Sequence, residues 1–202
     1  MRRWPLVPLA CALLAAACAG NGASRAAPST DPAPAADLVP IARALDRLDV
    51  IDAAVRDWAR ATNVVEAKAA AERARNLITG PGVMGAGDLD GDGVAGDLPD
   101  EGLLPGAAAA PGLAIALPAD CVEADVLGGG WSTPASRWAT LESAIAAWRP
   151  DNNTFPSLPS HPQRVVGWAT LTLATDDLDD AREFAGHALI HVDVTRAAIE
   201  GC

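Results

Sequence analysis

The stretch that decides the fold is residues 178–200, LDDAREFAGHALIHVDVTRAAIE. Leu178, Ala181, Ala185, Ala188, Val192, Thr195 and Ile199 recur at alternating steps of three and four without an error. That spacing lines all seven along one face of an α-helix, with Thr175 or Asp176 placed to cap its start. A helix with one apolar stripe needs partners, and the rest of the chain supplies them. From Asp37, a plausible N-cap, Leu38, Ile41, Leu45, Leu48, Ile51 or Asp52, Val55 and Trp58 keep the same period. Asn63 is placed to cap a second helix, with Glu66 three residues on; Val64, Ala67, Ala71, Ala74 and Leu77 continue it until Gly80-Pro81 stops it. Two arrangements fit these residues: a hairpin of helices 37–62 and 63–79, reversing at Thr62-Asn63, or one unbroken helix.

Thr133-Pro134 opens a further helix with Trp138, Leu141, Ile145 and Trp148 on one face, closed by Arg149-Pro150. Residues 160–174 place Val165, Val166, Trp168 and Leu171 at helical spacing, while their β-branched content also permits a strand. No run shows a convincing two-residue alternation. The expectation is an all-α fold, a four- or five-helix bundle whose Ala-rich faces allow close helix approach, with a long irregular acidic Gly/Pro-rich connector. Trp58, Trp138 and Trp148 fall on apolar faces and read as core rather than as a ligand cage.

The chain has 202 residues, half of them apolar and 20% charged, which suits one globular domain. Its net charge of −11 would repel nucleic acid and attract cations, so a metal ion is the first partner to look for.

The N-terminus carries an address. Residues 1–17 join a basic MRR to an apolar run and end in LLAAA before Cys18, a segment too short to span a bilayer and remain there. This resembles a bacterial lipoprotein signal peptide, in which the cysteine after the small residues is lipidated and becomes the mature N-terminus. It departs from the pattern at Ala15, where the family prefers leucine. The resemblance implies export, a membrane anchor through Cys18 and, because Ala19 replaces a retention aspartate, an outer-membrane or cell-surface position. An ordinary secretory signal cut nearby is the alternative, and Cys11, whose preceding apolar run of about seven residues is at the bottom of the usual range, is a weaker one. Losing residues 1–17 removes Arg2 and Arg3 but no acid, leaving −13. Residues 18–36, small and Pro-rich, read as a lipidated flexible tether to a domain at 37–202. Cys121 and Cys202 then remain, and in an oxidising compartment they have one pairing; two free thiols are the alternative.

Between Asn76 and Ser136 lie nine acids and no Lys or Arg. Within this stretch, residues 88–101, DLDGDGVAGDLPDE, match the DxDxDG opening of a calcium loop. Asp88, Asp90 and Asp92 take the alternate positions, Gly93 the sharp turn, and the Val94 carbonyl the inward-facing position. Alternate carboxylates on a loop wrapped around a point can each place an oxygen about 2.4 Å from calcium. The segment resembles an EF-hand or dockerin loop, yet it occurs once, without flanking helices, and has Pro99 where the closing Glu belongs. Asp97, Asp100 or Glu101 would then supply the last carboxylate, or water would. The alternative is a solvated acidic turn. The wider pattern, AERARNLITG followed by DLDGDG and EGLL, is similar to a group of exported bacterial helical proteins, which implies no particular activity. Members carry His at the positions of Ala70 and Arg73, so a transition-metal role does not carry over through those residues.

His187 and His191 stand one helical turn apart, with Asp180 and Glu183 on nearby turns, a spacing that suits a zinc or copper ion. There is no Glu after the first His, as a zinc-protease motif needs; the alternative is a boundary pair packed on Phe184, and His161 reads as a helix-start residue. No CxxCH, phosphate-binding glycine loop or GxSxG is present, and no base or nucleophile can be named for a hydrolase on the acidic loop. The expected function is therefore a lipid-anchored calcium-binding protein with a binding or structural role in the cell envelope, engaging a protein partner there. Transition-metal binding or delivery is the alternative.

Overall fold

A computed structural model describes residues 35–82, 86–108, 110–123, 126–155 and 158–202. The expected signal peptide, Cys18 and most of the tether lie outside these residues. The fold is all-α: six α-helices and no strand among the described residues. None of these helices is long and apolar enough to cross a membrane.

Helix α1, Ala35–Arg60, buries Leu48, Ile51, Val55 and Trp58 and begins two residues before the expected cap at Asp37. The chain then reverses. Asn63 Oδ1 accepts the Glu66 N–H at 2.9 Å, and the Glu66 carboxylate accepts both the N–H and the hydroxyl of Thr62 at 2.8 Å. This reciprocal capping starts α2, Val64–Thr79, as a separate helix packed on α1, and so decides between the hairpin and the unbroken helix.

The C-terminal end of α2 is closed by residues far along the chain. Leu103 and Leu104 donate their N–H groups to the Leu77 and Ile78 carbonyls at 3.1 and 2.9 Å. Carbonyls that a helix end leaves unpaired are thereby satisfied inside the protein. The approach is close enough to demand glycine on both sides. A Cβ on Gly102 would lie 2.5 Å from the Gly80 nitrogen, and one on Gly80, at φ 61°, would lie 2.4 Å from the Gly102 nitrogen. Leu103 and Leu104 are fully buried by this contact. A 3₁₀ turn at Leu113–Ala116 and the short helix α3, Ala119–Glu123, follow.

Helix α4, Pro134–Ala147, buries Trp138 and Leu141, and the Trp138 indole donates to the Pro105 carbonyl at 2.8 Å. Helix α5, His161–Ala174, resolves the helix-or-strand alternative in favour of helix. The Ser160 hydroxyl caps it by accepting the Gln163 N–H. Helix α6, Leu178–Glu200, is capped by Asp177, whose carboxylate accepts the N–H groups of Asp179 and Asp180. The cap thus falls just after the expected Thr175 or Asp176, because the Thr175 hydroxyl is taken by the Asp177 N–H at 3.1 Å.

Helix α1 packs on α2 and α6, and α5 packs on α2 and α6, so four helices close on one another in a cycle; α4 lies against α5. Ala44, Ala54, Ala67, Ala71, Ala74, Ala181, Ala185 and Ala188 are fully buried, and their small side chains let the helices approach closely. Trp168 is the centre of an aromatic group, 4.7 Å from Phe155, 5.5 Å from Phe184 and 6.4 Å from Trp148 between ring centroids. A disulfide joins Cys121 to Cys202, with Cα atoms 5.7 Å apart.

Candidate metal centre at the end of α2

The last turns of α2 carry a polar face that is buried. Glu72, Arg75, Asn76 and Thr79 are each no more than 3% exposed, and their spacing sets them side by side. Asn76 donates to the carbonyls of Gly87 and Gly96 at 3.0 and 3.1 Å, and its own oxygen accepts the Gly87 N–H. Glu72 accepts the N–H groups of Leu89, Asp90 and Gly96, the last two at 3.0 and 2.7 Å. Two side chains therefore pin residues 87–96 to the helix. Three N–H donors offset the cost of burying the Glu72 carboxylate, and the charge of Arg75 acts with them. Burial lowers the Arg75 guanidinium to about 10, against the opposing pull of Glu72.

The loop is folded on its own aspartates. Asp88 accepts the N–H groups of Gly91 and Gly93 at 2.8 and 2.9 Å, Asp90 that of Asp92 at 3.0 Å, and Asp92 that of Val94 at 2.7 Å. Gly93, at φ 90°, makes the turn expected of it. Carboxylate oxygens of Glu72, Asp88 and Asp90 all lie within 4.8 Å of one another. Two oxygens each 2.3–2.6 Å from one calcium ion are at most about 5 Å apart, so this trio fits a single hard cation. Burial raises the Asp90 carboxyl above its ordinary range, and the charges of Glu72, Asp92 and Asp88 add to that rise against a lowering bond from the Asp92 N–H.

Two residues proposed to close the loop are engaged elsewhere. Asp97 pairs with Arg73 at 3.0 Å, and Glu101 with Arg43 at 2.8 Å. Asp100 is exposed, and the Val94 side chain is 64% exposed. The acidic stretch without a base of its own is answered by arginines from α1 and α2; Arg47 also donates to the Glu101 and Leu77 carbonyls. The carboxylate that joins Asp88 and Asp90 is Glu72, which the sequence reading did not consider. A Glu and an Asn four residues apart, on a helix that leads into an acidic loop, were the available signal.

The four residues proposed around the second metal do not converge. The His187 ring stacks on Trp168 at 4.5 Å, its Nε2 is 3.0 Å from the Asn153 amide nitrogen, and Glu183 is 3.9 Å away. Asp180 lies 3.4 Å from the Thr175 hydroxyl. His191 turns to His161 instead, Nδ1 to Nδ1 at 3.0 Å. Burial, with the charges of His161, Arg164 and His187, lowers His191 to about 3. The chain matches no protein-family model, no curated protein and no solved structure.

Proposed function

We propose that this is an exported, lipid-anchored helical-bundle protein whose acidic Gly/Pro-rich connector binds calcium and is stabilised by it. Its role is binding or structural in the cell envelope, with an envelope protein as partner and Cys18 carrying the lipid. The observation that carries the calcium reading is the meeting of Glu72 with Asp88 and Asp90, three oxygen donors from two separate parts of the chain. Hard carboxylate oxygens favour calcium over zinc or copper, and an irregular loop suits the variable coordination of calcium better than the rigid octahedron of magnesium. Asp92 is next along the same turn, so water and a rotated Asp92 carboxylate complete the shell. The alternative, a transition-metal protein using His187 and His191, draws less support, because His187 is occupied by Asn153 and Trp168.

Calcium should raise the melting temperature of the purified protein, with an affinity on the order of 10⁻⁵ to 10⁻³ M. Asp90→Ala should abolish that rise. It should cost the calcium-free protein little, because removing one carboxylate also relieves repulsion from Glu72, Asp88 and Asp92. An unchanged melting temperature at about 5 mM calcium, above the weak end of the expected range, sinks the reading. So does an Asp90→Ala protein that responds as the parent does.

A further inference from the structure

All three histidines of the chain lie on α5 and α6. His161 is the first residue of α5, held there by its N–H on the Val126 carbonyl at 2.7 Å, and His191 stands in the middle of α6. Their rings meet edge to face, centroids 4.9 Å apart, with the two Nδ1 atoms directed at each other across 3.0 Å. Among the described residues no carboxylate forms an ion pair with either ring. Two neutral imidazoles at that separation either share an N–H···N hydrogen bond or present two lone pairs to one ion. A metal about 2.0–2.1 Å from each nitrogen, with a bond angle of roughly 90–110°, sets the nitrogens about 2.9–3.4 Å apart.

We propose that His161 and His191 form a two-imidazole site for a zinc(II)- or copper(II)-class ion that bridges α5 and α6. Neutral nitrogen donors suit these ions and not calcium or magnesium, so the site is chemically separate from the acidic loop. Loading it shifts the one Nδ1–H of the hydrogen-bonded pair to Nε2, leaving both Nδ1 lone pairs on the metal and both rings neutral. His187 is not a third ligand: its ring is stacked on Trp168 and its Nε2 faces Asn153, so water fills the remaining positions. Arg164, whose charge lowers the proton affinity of both rings, also opposes the ion and keeps its affinity below that of a three-ligand site.

The test is titration of the chelator-stripped protein with copper(II) at neutral pH in excess calcium, followed by electron paramagnetic resonance. One ion per chain with hyperfine coupling to two imidazole nitrogens is expected. His161→Gln and His191→Gln should each weaken binding by roughly tenfold or more and remove one coupled nitrogen. His187→Gln and Asp90→Ala should bind as the parent does. If His191→Gln disturbs folding, seen by circular dichroism, His161→Gln at the helix start decides alone. Undiminished copper binding in His161→Gln overturns the proposal, as does a loss in His187→Gln equal to that in the other two. The calcium reading is tested apart, by the calcium-dependent melting temperature of the parent and Asp90→Ala, so failure of this site and failure of that reading are separately visible.

Discussion

The four helices that close on one another and the acidic segment laid across the end of α2 are held by opposite means. In the helices, alanine stripes and large apolar side chains exclude water, and Trp58, Trp138 and Trp168 are at most 1% exposed. In the segment, Val94 stands in solvent and order comes from polar bonds: two buried side chains on α2, aspartates folded onto their own backbone, and arginines reaching across from α1 and α2. Apolar packing is non-directional and tolerates substitution of similar volume, whereas a polar staple fails when one atom is removed. Helix α2 serves both regions, with Ala67, Ala71 and Ala74 buried in the core and its Glu72 and Asn76 turned to the loop.

The sharpest way to break this contrast is Trp168→Ala. Removing the centre of the aromatic group should cost about 3–5 kcal/mol in denaturant unfolding. Residues 87–96 should stay protected from protease until the whole molecule unfolds; earlier cleavage there would mean that the segment leans on the core. Next is Gly102→Ala, where a methyl group meets the Gly80 backbone. Overpacking of that kind costs about 1–3 kcal/mol, read as a fall in melting temperature, and it should loosen the end of α2 in hydrogen exchange. An unaffected melting temperature would show that the 102–104 segment contributes nothing to the helix end.

Glu72→Gln should cost about 1 kcal/mol globally, because one carboxylate oxygen becomes a donor facing backbone N–H groups. Its larger effect should be local: faster cleavage at residues 87–96, and loss of the calcium response. A variant that melts earlier without faster loop cleavage would place Glu72 in the framework instead. The last test concerns pH in the presence of chelator. His191 is lowered to about 3 in the folded state, so the unfolded chain binds that proton more readily at every pH between 3 and 6.5. Its contribution is complete above about 6.5 and is lost as pH falls through that value, so melting temperature should drop between pH 7 and 5. His191→Gln should flatten the drop. A slope unchanged by that variant would assign it to other groups.

The helices were legible because their buried residues obey one period. From Ala181 to Ile199 every position on the expected stripe of α6 is buried, and Asn63 and Glu66 announce the start of α2 by their chemistry alone. The pairing of Cys121 with Cys202, present in the structure, was expected only on the premise that Cys11 leaves with a signal peptide and Cys18 carries lipid. The site was legible only in its local half. Asp88, Asp90 and Asp92 are close in sequence, and their turn is written in the glycines between them. Glu72 was not legible, because its importance depends on the Gly96 and Leu89 N–H groups, which fold back on α2 only in three dimensions. For the same reason Asp97 and Glu101 looked free: Arg73 and Arg43, which hold them, are distant in the chain. The period that placed His187 and His191 on neighbouring turns carried no information about α5, from which His161 arrives.

The disulfide has a mechanical consequence. Cys121 and Cys202 enclose α4, α5 and α6 in a covalent ring, while α1 and α2 lie outside it. Tension applied at the N-terminal side can peel away α1, α2 and the acidic segment but must stop at Cys121. The 81-residue span between the two cysteines hides roughly 280 Å of extended chain from the pull. In a force-extension trace that length should appear only after reductant is added. Under load, the acidic segment would be the part that stretches, and the ring the part that holds.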